Sequence, residues 1–99
     1  MSSRNDARVP YPVLGGAQSV AYTATAAATT TAVGAQITRV LIWASTDCHV
    51  QFAGTPVATT ADMFVPANTQ MLMSIRRGEK VSAIRDSADG TLWVSEVTY

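Results

Sequence analysis

Apolar and polar residues alternate along much of this chain with a period of two, the spacing that sends successive side chains to opposite faces of a β-strand. Cys48, Val50 and Phe52 alternate with His49 and Gln51, and Met71, Met73 and Ile75 with Gln70, Leu72 and Ser74. The stretch 37–44, ITRVLIWA, is instead β-branched and aromatic and nearly apolar at every position. That composition predicts an interior strand buried on both faces. Ser45-Thr46-Asp47 then forms a hairpin turn into the Cys48 strand. Met63-Phe64-Val65 is a brief strand stopped by Pro66-Ala67-Asn68. Arg76-Arg77-Gly78-Glu79 turns the chain into a strand over 80–85, and Asp86-Ser87-Ala88-Asp89-Gly90 turns it again into a strand over 91–99. No 3.6-residue apolar period is sustained. Roughly six or seven short strands with frequent turn signals predict an all-β fold, a small antiparallel β-sandwich or jelly-roll-like barrel.

The N-terminal third departs from this pattern. Residues 1–18 read as an extended arm and 19–99 as a single sandwich domain. In Val9-Pro10-Tyr11-Pro12-Val13-Leu14 the alternate prolines hold the backbone extended and remove hydrogen-bond donors, which suits neither a helix nor a central strand. Val9, Tyr11, Val13 and Leu14 are too apolar for a purely solvated tail, so they are the expected contact residues of an arm lying on a neighbouring surface. Residues 18–33 are rich in alanine and threonine. Alanine favours helix, but the β-branched threonines with Val20 and Tyr22 favour strand.

Charge sharpens the picture. No charged residue lies between Arg8 and Arg39, whereas a small soluble domain spreads charges over about a quarter of its positions. Prolines, glycines and hydroxyl residues interrupt this stretch, so it does not read as a membrane span. It reads as a surface covered in use. Over the whole chain, 7 basic and 7 acidic residues cancel, giving no field to gather nucleic acid or anionic lipid. Arg76, Arg77 and Lys80 nevertheless cluster around one turn, and they are the candidate polar rim of a docking surface. The N-terminus lacks the apolar core of a signal peptide.

Candidate chemistry is sparse. His49 and Cys48 are strand neighbours and point to opposite faces, so they form neither a thiolate–imidazole pair nor a shared metal site. Asp47 shares the face of His49 at a spacing of about 7 Å, which is poor for an orienting hydrogen bond. The single cysteine rules out an internal disulfide framework. Asp86, Asp89 and Gly90 lack the ligand spacing of a calcium loop and read as turn residues. Neither a catalytic set nor a metal or cofactor site is expected. Trp43 and Trp93 stand in apolar strands and read as core or subunit-contact residues, with a sugar-binding aromatic platform as the alternative.

The segment from VLIWASTDCHVQFAGTPVATTADMFVPANTQMLMSI through RRGEKVSAIRDSADGTLWVSEVTY, about residues 37–99, resembles small structural proteins of tailed bacteriophages. These are β-sandwich or jelly-roll subunits used as capsid cement, decoration or head-fibre components. The resemblance lies in the buried first strand, the Thr/Pro-rich loop, the apolar run before "PAN", the "GEKV" turn and the final "GTLWVSEV" strand. It implies a non-enzymatic virion protein, assembled in the host cytoplasm, which forms a homo-oligomer (dimer or trimer). Such a protein binds the major capsid protein or other virion proteins across subunit joints, with the arm as a clamp. A glycan- or receptor-binding fibre module and a head–tail joining component are the alternatives.

Overall fold

The computed structural model describes residues 13–34 and 37–98. The chain is all-β, with strands β1 (Val13–Tyr22), β2 (Ala27–Ala28), β3 (Arg39–Ala44), β4 (Cys48–Ala53), β5 (Met63–Val65), β6 (Met71–Ser74), β7 (Lys80–Arg85) and β8 (Gly90–Thr98). They form two four-stranded antiparallel sheets, ordered β1-β8-β3-β6 and β2-β7-β4-β5. The pairing is nested: β1 pairs with β8, β2 with β7, β3 with β6 and β4 with β5. This is one long folded-over ribbon wound into two layers, an order compatible with a jelly roll.

The core lies between the sheets and takes one residue in two from each principal strand. Val20 and Tyr22 from β1, Val40, Ile42 and Ala44 from β3, and Leu92 and Val94 from β8 face Cys48, Val50, Val65, Val81 and Ala83 of the second sheet. Each large aliphatic side chain removed from water here contributes about 1.5–3 kcal/mol. Tyr22 is buried with its hydroxyl satisfied: it donates to the Thr46 carbonyl at 2.6 Å and accepts from the Thr46 N–H at 3.1 Å. That pairing meets the requirement that a buried polar atom keep its hydrogen bonds.

Several elements differ from the sequence expectation. β3 is interior, between β8 and β6, but only its Val40, Ile42 and Ala44 face is fully buried; Leu41 and Trp43 on the other face are half-exposed. Ser45-Thr46-Asp47 is not a hairpin. It carries the chain from the first sheet to the second, and β3 and β4 do not pair. The corner is instead pinned to its surroundings: Asn68 N–H donates to the Ala44 carbonyl, Ala67 N–H to Asp47 Oδ1, and Thr91 N–H to Ser45 Oγ. Gly90 is required at this corner, because a Cβ there would lie 2.6 Å from the Tyr22 hydroxyl and 2.8 Å from Ser45 Oγ.

The N-terminal boundary also moves. Residues 13–18, expected in the arm, belong to β1, an edge strand paired with β8 from Val13↔Thr98 to Tyr22↔Gly90. The register shifts between Leu14 and Ala17, where Gly15-Gly16 forms a bulge. An edge strand needs donors on one side only, which is why the nearby prolines do not prevent it. The strand expected over 18–33 is real to Tyr22 and again at Ala27–Ala28; residues 29–34 run irregularly beside the start of β7, where the Thr29 N–H donates to the Val81 carbonyl and the Val33 N–H to the Glu79 carbonyl. There Gln18 holds Thr31 by a reciprocal pair of hydrogen bonds, 2.8 and 3.1 Å.

Candidate interaction surfaces

The expected contact residues that are described lie toward one end of the molecule. Leu14 pairs with Val97, Val97 with Arg39, and Arg39 with Ser74. The first residues of β1 and the last of β6 therefore share an end of the first sheet, three strand spacings or about 15 Å apart. Beyond β6 comes the turn carrying Arg76 and Arg77, both exposed, with Lys80 half-buried at the start of β7. Its shape is fixed by Gly78 at φ 81°, by the Glu79 N–H donating to the Arg76 carbonyl at 3.1 Å, and by Glu79 Oε1 accepting the Arg76 N–H at 2.9 Å. The positive φ is the region glycine enters without strain. Val13 and Leu14 thus sit in strand backbone at the same end of the sheet as this basic turn but on the opposite edge, whereas Val9 and Tyr11 lie outside the described residues.

The second cluster surrounds His49. It points away from the core, opposite Cys48, yet is only 8% exposed because the β4–β5 loop folds over it. That loop is tied down by Ala58 N–H to Ser82 Oγ, Val57 N–H to Gln51 Oε1, and Thr59 N–H to Asp62 Oδ2. His49 Nδ1 lies 3.0 Å from the Asp62 carbonyl and Nε2 lies 2.9 Å from Asp86 Oδ1. Phe64 meets the ring edge-on. The hydrogen bond to Asp86, aided by the Asp62 carbonyl, raises the imidazole pKa above its ordinary 6.5 against the opposing effect of burial. The carboxylate beside His49 is therefore Asp86, not Asp47, which is engaged with Ala67. The arrangement joins two loops; it places no nucleophile beside the imidazole among the described residues.

Cys48 is fully buried, and burial pushes its thiol up to about 11, with the neighbouring Tyr22 hydroxyl opposing and the Asp47 charge adding to the rise. A thiol so placed is a packing group rather than a nucleophile. A shallow cleft of about 290 Å³ opens where β4, β5 and β6 come together, lined by Val50, Gln51, Phe52, Asp62, Met63 and Met73. Among the described residues no group of three or more His, Cys, Asp or Glu could hold a metal ion, and no helix is long and apolar enough to cross a membrane.

The tryptophans are not core residues, which leaves the subunit-contact and sugar-platform expectations open. They pair across β3 and β8 on the outer face of the first sheet, with ring centroids 4.9 Å apart and planes at 48°. Trp43 is half-buried, but Trp93 is 43% exposed. Its neighbour on β1 is Ser19, flanked by Ala17 and Ala21 on the same face, all small and exposed. Leu72, opposite Leu41, is exposed farther along that face. The outer face of the first sheet is thus apolar and low in charge, while the chain's own loop covers His49 on the second sheet and leaves Met63 and Phe64 of its edge strand β5 exposed. No family model matches the chain, and neither a curated protein nor a solved structure resembles it closely enough to count as a match.

Proposed function

We propose that this chain is a non-enzymatic structural protein of a virion, a capsid cement or decoration subunit that binds across major capsid subunits and stabilises the shell. The observation that carries this reading is that the arm's point of departure and the basic turn lie at the same end of the first sheet, on its two opposite edges. An apolar, proline-stiffened segment leaving from the same end of the sheet as Arg76, Arg77 and Lys80 can lie in a groove between subunits while the basic rim meets an acidic surface. The resemblance of residues 37–99 to phage structural subunits supports the same reading. The mechanism is linkage: a protein that binds only the assembled shell shifts the equilibrium toward that shell, and many copies add their contributions. The test is to purify particles of the encoding virus with and without the intact reading frame. Under this reading the protein is present in many copies per particle, and its loss lowers the temperature at which shells disrupt. Its absence from purified particles would refute the reading.

The Trp43–Trp93 pair favours a second reading, a carbohydrate-binding face at a fibre tip, since an exposed indole with Ser19 opposite it on β1 suits the apolar side of a sugar ring. A glycan array probed with the full chain and with Trp93→Ala decides it: binding lost in the variant supports this reading, and no bound glycan removes it.

A further inference from the structure

We propose that the outer edge of β1 receives a second copy of this chain. The two β1 strands pair antiparallel about a two-fold axis through Ser19, joining two four-stranded sheets into one of eight.

The argument begins with the four sheet edges. An unpaired edge is a template for strand addition, and proteins blunt it by keeping edge strands short or charged. Three edges here are short: β2 has two residues, β5 three and β6 four. β1 has ten, with β8 as its only sheet neighbour among the described residues. No Asp, Glu, Lys or Arg occurs in it. The Gly15-Gly16 bulge interrupts its first part, leaving Ala17–Tyr22 as a regular stretch of six residues, still longer than any other edge.

The occupant follows from chemistry and parity. Pairing with itself brings identical residues together, so an edge carrying charge would oppose like charges, which is destabilising; this edge carries none. In one continuous sheet, residues directly opposite each other must point to the same face. The outward residues of the regular stretch are Ala17, Ser19 and Ala21. A two-fold at Ser19 sets Ser19 against Ser19 of the second copy and Ala17 against its Ala21. Side chains this small permit close approach, and paired serine hydroxyls can hydrogen-bond across the strands. The two exposed Trp93 rings then lie on the same face, each one strand away from the central serine. This inference does not depend on the capsid reading.

The test is sedimentation of the full chain over a concentration series, beside Ser19→Lys at the proposed axis and Gln70→Lys, an exposed position next to the opposite edge strand. The expected result is a dimer for the parent and for Gln70→Lys, with dimerisation weakened on the order of tenfold or more by Ser19→Lys. Ser19→Cys provides an assay that does not rely on a charged edge. Mild oxidation should give a covalent dimer, against a low background because Cys48 is buried. A monomeric parent at all concentrations, a Ser19→Lys protein that dimerises as the parent does, or a Ser19→Cys protein that does not cross-link would each overturn the proposal.

Discussion

His49 lies between two acceptors, the Asp62 carbonyl and the Asp86 carboxylate. A neutral imidazole carries one N–H and satisfies only one of them; the imidazolium donates to both. The folded state therefore binds this proton more tightly than the unfolded chain does, in keeping with the raised pKa. The resulting stabilisation is complete below the unfolded value of about 6.5 and is lost as pH rises through the higher folded value. Urea unfolding between pH 6 and 8 should show the midpoint falling with pH, and Asp86→Asn should flatten that dependence. A midpoint that rises across this interval would contradict the assignment. At this scale the sequence was only partly legible. Opposite orientations for Cys48 and His49 follow from strand geometry, and the structure has them so. The Asp86 partner was out of reach because it depends on β7 lying beside β4, with Ile84 opposite His49, a pairing between residues far apart in the chain.

The β1 strand shows how an element can be misread at its boundary. Prolines at 10 and 12 point to an irregular arm, but proline restricts only its own donor and the residue before it. Pairing with β8 begins at Val13, one position later. The truncation that isolates the arm therefore removes residues 1–12. Deleting 1–18 also removes the pairing of Val13, Leu14, Ala17 and Gln18 with β8, and the bonds between Gln18 and Thr31. The shorter deletion should leave the thermal midpoint nearly unchanged, whereas the longer one should cost on the order of 3 kcal/mol, seen as a clear drop in melting temperature. Equal midpoints for the two would show that the first half of β1 adds nothing to the sheet. The β3–β4 connection carries a related lesson. A three-residue polar turn between two strands fits a hairpin or a crossing between layers equally well, and period-two alternation does not say which sheet a strand joins. Gly90 marks the crossing from the structural side. Gly90→Ala drives a Cβ against the Tyr22 and Ser45 hydroxyls and should destabilise by about 1–3 kcal/mol in chemical denaturation.

For the whole molecule, fold class was the most legible property, because alternation along the strands and the absence of a helical period decide it without knowledge of topology. The missing charge was legible as a contact signal but not as a location. Among the described residues it divides between an edge strand of the first sheet and an irregular segment bonded to the β7 side of the second. Tryptophan exposure was not legible, since an apolar strand with one covered face has the same local composition as one covered on both. The two outer faces differ: the second sheet is partly covered by its own loop, with Phe64 still exposed, and the first leaves a tryptophan pair, small side chains and a long uncharged edge. Such a surface suits a protein that acts by being bound. The capsid reading adds that the arm and the basic turn at the same end of the sheet make that contact. Cosedimentation with expanded shells of the encoding virus, comparing the full chain with a form lacking residues 1–12, tests this most directly. The account predicts that the truncated protein stays folded but binds at least about tenfold more weakly, in line with the loss of several buried apolar side chains; equal binding by the two forms would contradict it.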